Sequence, residues 1–283
     1  MKQFFKTLKN SGSGLEWLYV PDVLYAEYEN CKRYLQLIIP YKKEWKEPEK
    51  YPLVLFIPGS AWYRQEMYNS LPALAGLAKR GFVVAALQYR ESRLAHFPAQ
   101  VEDVWNAIRL LESKAEAFHI DMEKLFLAGS SSGAHIALIS GFSADGDALR
   151  AGVTKERAEK VKGIIDLCGP SNLFLFEEDP GSEDFRPKED LLGVKCIYDD
   201  PEKARRASCK AYLSKERRIP PVLMFHGTQD GTVSVRHSRE LFEALKGFDK
   251  EVEYYEIEGA DHIGTEILEG EILDIISDFI RKN

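Results

Sequence analysis

Short, unbroken apolar runs alternate with longer segments of helical periodicity along most of this chain. Leu53 to Ile57, Phe82 to Leu87, Leu125 to Ala128, Gly163 to Cys168 and Val222 to Phe225 are apolar runs of strand length. Such continuity is what strands covered on both faces require. Between them lie helical patterns. Leu71 to Lys79 is stopped by Gly81, and Pro98 to about Ala117 carries Val101, Val104, Trp105, Ile108 and Leu111 at helical spacing. Ser238 to Leu245 leads into a strand from Glu253 to Ile257, and a closing helix spans about Ile267 to Ile280. The alternation predicts an α/β fold, a mostly parallel central sheet with helices on both faces, formed by one domain over residues 1–283.

Five stretches depart from the alternation. Leu24 to Tyr28 alternates as an antiparallel edge strand does, and Arg33 to Ile39 ends in a denser apolar run. Residues 1–20 read as an N-terminal arm or lid, and Lys42 to Lys50 as a charged loop. Residues 170–215 hold Phe174, Phe176, Phe185, Tyr198 and Tyr212 among acids, prolines and glycines. So long an irregular segment predicts a small cap inserted over a pocket.

The most informative residues are Gly129-Ser130-Ser131-Ser132-Gly133, a G-x-S-x-G string between the Leu125–Ala128 run and the helical run Ala134 to Leu138. A sharp strand-to-helix turn of this kind holds its central serine where the hydroxyl can attack. Ser131 then needs a base, and the base needs an orienting carboxylate. Of six histidines, His96 and His119 lie in loops without evident partners, His135 suits packing, His237 starts a helix, and His226 suits a structural place after its strand. His262, in Gly259-Ala260-Asp261-His262 after the last strand, is the best-placed base. Asp230, in the loop after the Val222–Phe225 strand, is the best orienting acid, with Asp261 as its rival. Neighbouring side chains in an extended loop point apart, which favours Asp230. The chain order Ser131, Asp230, His262 is that of α/β-hydrolases.

Composition narrows the partners. The 283 residues are 45% apolar with a formal net charge of −7, ample for one large core, and no basic stripe invites nucleic acid. Cys31, Cys168, Cys196 and Cys209 form no C-x-x-C pair and no metal-type spacing, so free thiols in a reducing compartment are expected. No signal-length or membrane-length apolar stretch occurs, which predicts a soluble cytoplasmic protein without membrane association.

The sequence resembles α/β-hydrolase esterases, in particular the carboxylesterase branch that includes acetyl-xylan and feruloyl esterases and relatives of hormone-sensitive lipase. The likeness rests on five pieces in order over about residues 22–280. They are Phe56 to Trp62 in place of an HGGGW loop, Gln88-Tyr89-Arg90 with His96 to Asp103, the Gly129–Gly133 turn, His226 to Asp230 with Val233, and Gly259 to His262. The resemblance implies Ser131 as nucleophile, Asp230 as orienter and His262 as general base, with no metal and no cofactor. It implies an oxyanion hole from the backbone of Ser132 with Ser60 or Ala61. Pro58 replaces the motif histidine, and two of its three glycines are gone, yet any residue except proline supplies an N–H. Trp62 and Tyr63 beside that loop would narrow the pocket toward short acyl groups, such as acetyl on a sugar or phenolic alcohol. An arylformamidase or amidase would use the same triad, and a non-catalytic ligand-binding hydrolase fold is the reading from a different class.

Overall fold

In a computed structural model the described residues are 5–7, 15–42, 49–144, 149, 154–178 and 186–283. Three strands open the fold: β1 (Glu16–Tyr28), β2 (Cys31–Tyr41) and β3 (Tyr51–Ile57). Then come α1 (Leu71–Ala78), β4 (Val83–Leu87), α2 (Ala99–Ser113), β5 (Ile120–Ser130), α3 (Ser132–Phe142), α4 (Lys155–Glu159) and β6 (Val161–Leu167). After α5 (Pro187–Leu192) and α6 (Pro201–Arg206) the chain closes with β7 (Val222–Gly227), α7 (Arg236–Gly247), β8 (Val252–Ile257) and α8 (Gly270–Lys282).

The eight strands form one sheet in the order β1-β2-β4-β3-β5-β6-β7-β8. β2 runs antiparallel to both of its neighbours, and β3 to β8 are parallel. Strand pleating sorts the core into two layers. Leu53, Leu55, Ile57, Leu125 and Leu127 face one way, toward α2, α3 and α7. Val54, Phe56, Phe126 and Ala128 face the other, toward α1 and α8. Every residue of α3 is buried, whereas α7 and α8 bury only one face each. Among the described residues no helix is long and apolar enough to cross a membrane.

The fold corrects the sequence reading at several points. Glu16 to Val20, assigned to an arm, belong to β1, which pairs with β2 along the sheet edge. Its pattern is blurred because most of β1 is exposed and its register shifts twice. Residues 1–4, 8–14 and 43–48 lie outside the described residues. α2 ends at Ser113, and His119 adopts a positive φ of 56° just before β5. The closing helix begins at Gly270, after a short 3-10 turn over Thr265–Ile267.

Among its described residues the 170–215 stretch carries α5, α6 and three 3-10 turns, at Leu173–Glu178, Ile197–Asp199 and Cys209–Tyr212. It sends Phe176, Leu191, Leu192, Ile197, Ala204 and Tyr212 into the core. Phe185 lies outside the described residues.

Asp166 on β6 is fully buried; its Oδ1 accepts from the Gly169 N–H at 2.7 Å, while Oδ2 has no partner. Burial drives its pKa up to about 7 against the opposing effects of Gly169 and His226. The native state therefore holds a proton that the unfolded chain loses near pH ~4. Stability is untouched below that pH, falls as pH rises toward 7, and carries the full penalty above it. Asp166→Asn keeps the acceptor for Gly169 and removes the charge. The melting temperature of Asp166→Asn relative to wild type should rise steadily between pH 5 and pH 8. A difference that does not change with pH would contradict this account.

Candidate active site

The site is built on the turn between β5 and α3. Ser131 sits there at φ 53°, ψ −127°, a conformation that costs an L-residue about 1–3 kcal/mol. Backbone bonds hold it: Ser131 N–H donates to Leu167 O at 2.8 Å, and Ser131 O accepts from the His135 N–H at 3.1 Å. Although Ser131 is the N-cap of α3, its hydroxyl makes no capping bond. Close approach of three backbones fixes the turn from behind. A Cβ on Gly133 would lie 2.0 Å from Ile57 O, and one on Gly59 would lie 2.7 Å from Ser130 O. Glycine is needed there for space.

Two loops beyond β7 and β8 bring in the acid and the imidazole. Thr228 N–H donates to Ile257 O at 3.1 Å and Gln229 N–H to Ala260 O at 2.9 Å, which joins the loops. Asp230 Oδ2 lies 2.7 Å from His262 Nδ1 and 3.1 Å from His226 Nε2, and Oδ1 accepts from the N–H groups of Thr232 and Val233, each at 2.8 Å. Burial would raise the pKa of this carboxylate. The bonds from His226, His262 and Val233 overcome that and hold it well below the usual carboxylate range. Asp230 is thus an anion that requires the proton of His262 on Nδ1, leaving Nε2 as the basic nitrogen.

The rival Asp261 is turned elsewhere, its Oδ1 accepting from the N–H groups of Gly231 at 3.0 Å and His262 at 2.7 Å. Ser131, Ser132, His262, Ser60, Ala61 and Trp62 all line one cavity of about 440 Å³, walled further by Phe176, Thr232, Val233 and Ile263.

The loop after β3 departs from the expected donors. Ser60 N–H donates to Ser132 Oγ at 2.9 Å, so it is committed to a side chain. Ser60 Oγ bonds the Tyr89 hydroxyl at 2.8 Å and donates to Tyr63 O at 2.7 Å. Tyr63 N–H closes a turn onto Ser60 O at 3.0 Å, with Ala61 at φ 51° and Trp62 at φ 60°. Positive φ at both central residues is the mark of a type I′ turn, unfavourable for alanine and tryptophan and held here by contacts. Trp62 Nε1 donates to His135 Nδ1 at 3.1 Å, and His135 Nε2 donates to Ala207 O at 2.7 Å. Burial lowers the pKa of His135 to about 4, so it stays neutral as a strut between this loop, α3 and the segment after α6.

Trp62 faces the cavity, but Tyr63 does not line it. The Tyr63 hydroxyl donates to Asp190 Oδ2 at 2.6 Å and Arg93 lies over its ring at 5.0 Å. The expectation that Tyr63 narrows the pocket is corrected accordingly.

Cys168, Asp230 and His262 bring possible metal-ligand atoms within 4.8 Å of one another. These donors are already engaged with one another and with backbone. Cys168 Sγ donates to Ile263 O at 2.9 Å and lies 3.6 Å from His262 Nδ1. Burial, then Asp230 and Asp166, push its thiol up, away from the thiolate a metal needs. The sequence reading gave His226 a structural place and did not single out Cys168; the structure sets both beside the Asp230–His262 pair.

The sheet order and the strand–serine–helix turn define an α/β-hydrolase fold. The chain belongs to the BD-FAE family, whose model matches residues 37–245. Among curated proteins it is 26% identical over 240 residues to Esterase LipC of Mycobacterium tuberculosis, covering 83% of this chain and 58% of that protein. It is 25% identical over 231 residues to the isoprenylcysteine alpha-carbonyl methylesterase ICME of Arabidopsis thaliana, covering 75% and 50%. The chain thus spans between 50% and 58% of the length of these relatives.

Two solved structures share the fold. A truncated carbohydrate esterase from gut microbiota aligns with a TM-score of 0.78 at 23% identity, covering 97% of this chain and 99% of that one. Esterase B from Lactobacillus rhamnosis aligns with a TM-score of 0.76 at 16% identity, covering 95% and 87%.

The close approach at Gly133 generates a prediction. Gly133→Ala should cost on the order of several kcal/mol, because the methyl collides with the backbone of Ile57 and Pro58, and should be read as loss of soluble protein or a large fall in melting temperature. Gly247→Ala, where nothing lies within 4 Å, should leave the melting temperature unchanged or slightly higher. Equal behaviour of the two variants would refute the packing argument.

Proposed function

We propose that this protein hydrolyses carboxylic esters through an acyl-enzyme on Ser131. The observation that carries the reading is the 2.7 Å contact from the Asp230 carboxylate to His262 Nδ1, with His262 and the uncapped Ser131 lining the same cavity. Ser131 Oγ attacks the ester carbonyl while His262 Nε2 takes its proton, and Asp230 stabilises the imidazolium that results. The alcohol leaves with that proton. Water, deprotonated by His262, then attacks the acyl carbonyl and releases the acid and Ser131.

Backbone N–H groups hold the oxyanion. Ser132 supplies one from the first turn of α3, where N–H groups have no helical partner. With Ser60 N–H engaged by Ser132 Oγ, Ala61 is the donor we assign from the loop. The names of the relatives, an esterase and a methylesterase, support the ester class.

For the substrate, we assign a short acyl group to the side of the cavity walled by Trp62. The alcohol, a sugar or phenolic ring, meets the side walled by Phe176. On this reading residues 170–215 act as a small cap on a single domain. The four free thiols support a reducing compartment such as the cytoplasm.

Kinetics on p-nitrophenyl esters from acetate upward test the proposal. Ser131→Ala and Asp230→Asn should each lower kcat/KM by orders of magnitude while the melting temperature stays near wild type, and Asp261→Asn should be nearly silent. Activity should fall on the acid side as imidazole is protonated. Acetate should be the best acyl group. Full activity in Ser131→Ala would sink the mechanism, preference for octanoate would sink the substrate assignment, and faster cleavage of matched formanilides would favour the amidase reading.

A further inference from the structure

The carboxylate of Asp230 is shared by two imidazoles, and only one of them reaches the cavity. The second, His226 at the end of β7, is fully buried, as are its partner Ser238 on α7 and the side chain of Asp230. Its tautomer follows from its neighbours. His226 Nε2 lies 2.8 Å from Val233 O and 3.1 Å from Asp230 Oδ2. Neither oxygen can donate, so Nε2 carries the proton and shares it between them. His226 Nδ1 lies 2.7 Å from Ser238 Oγ, whose hydroxyl donates to it. Asp230 thus stands between two imidazoles, His262 on the open side, where Ser131 lines the same cavity, and His226, paired with Ser238, on the buried side.

We propose that His226 is a positioning residue for the triad carboxylate, with Ser238 fixing the tautomer that lets it serve. The inference rests on the assignment of Asp230 and His262 made above. His226 donates to the same oxygen, Oδ2, that receives the His262 proton. That donation fixes where Oδ2 lies and draws off part of its negative charge. A carboxylate deprived of it would rotate more freely and pull harder on the His262 proton, favouring imidazolium over the free base the attack needs. Both side chains are fully buried.

The other titratable groups around His226 are Asp166 from β6, His237 beside Ser238 on α7, and Glu256 from β8. Those around His262 are Asp261 on its own loop and Cys168 after β6. None of these donates to Asp230 Oδ2.

The test compares His226→Leu, His226→Gln and Ser238→Ala in the full chain, using p-nitrophenyl acetate across the pH range. Active sites are counted by fluorophosphonate labelling and folding is checked by melting. His226→Leu should lose about 10–100-fold in kcat/KM, the size that outer hydrogen-bond partners carry at metal-bound histidines. The loss should fall on kcat, and the acid limb should move to higher pH. His226→Gln, which can place an amide N–H near the lost Nε2–H, should recover most of the rate and restore the limb; Ser238→Ala should fall between.

Wild-type kcat and an unmoved limb in all three variants would overturn the proposal, as would Gln behaving no better than Leu. If His226→Leu does not fold, the Gln and Ala variants decide. If wild type neither hydrolyses esters nor labels at Ser131, the functional reading fails, and NMR of the histidine rings still tests the linkage. Neutral His226 should be the Nε2–H tautomer, and the His262 titration should shift upward in Ser238→Ala. An Nδ1–H form of His226 would overturn it.

Discussion

Everything in the site hangs on one crossing of backbones. The first turn of α3 passes so close to the end of β3 that a single methyl on Gly133 would sit 2.0 Å from Ile57 O. Gly59 meets the same turn from the loop beyond β3. The crossing forces Ser131 out of ordinary backbone space and leaves its hydroxyl uncapped. It also brings the loop after β3 against the start of α3, where Ser60 N–H finds Ser132 Oγ. Strain in the turn is offset by the core around it, since every residue of α3 is buried.

The second requirement is a buried carboxylate that stays ionised. Desolvation pushes the pKa of Asp230 up, and four donors on its two oxygens overcome that. Asp166 shows the alternative nearby: with one donor and an unpartnered oxygen, burial drives it up to about 7. Two aspartates in one neighbourhood are thus set apart by their hydrogen bonds, and Asp166 is also the more deeply buried residue. The parallel sheet makes this possible, since the loops after β5, β7 and β8 emerge at one edge and bring Ser131, Asp230 and His262 together.

Much of this was legible before the structure. The buried strands announce themselves as continuous apolar runs, and Gly129–Gly133 marks the turn because its small residues have no other purpose between an apolar strand and an apolar helix. Asp230 was preferred to Asp261 because neighbouring side chains in an extended loop point apart, and the Asp261 carboxylate is indeed turned onto the N–H groups of Gly231 and His262. What remained hidden depended on side-chain direction. Nothing in Pro58-Gly59-Ser60-Ala61 states that Ser60 would spend its N–H on Ser132 Oγ, or that Ala61 and Trp62 would take positive φ. Tyr63 was misjudged because bulk says nothing of orientation; a hydrogen bond to Asp190 turns it away from the cavity. Glu16 to Val20 were hidden because an exposed edge strand needs little apolar pattern.

The central claim is that the Ser131 hydroxyl attacks a carbonyl whose developing charge rests on the N–H groups of Ser132 and Ala61. A crystal structure with a phosphonate bonded to Ser131 tests it most directly, the phosphoryl oxygen standing in for the oxyanion. The account predicts that oxygen within about 3 Å of both N–H groups, with His262 Nε2 turned toward Ser131 Oγ. A phosphonate attached to another residue, or a phosphoryl oxygen from which both N–H groups point away, would contradict it.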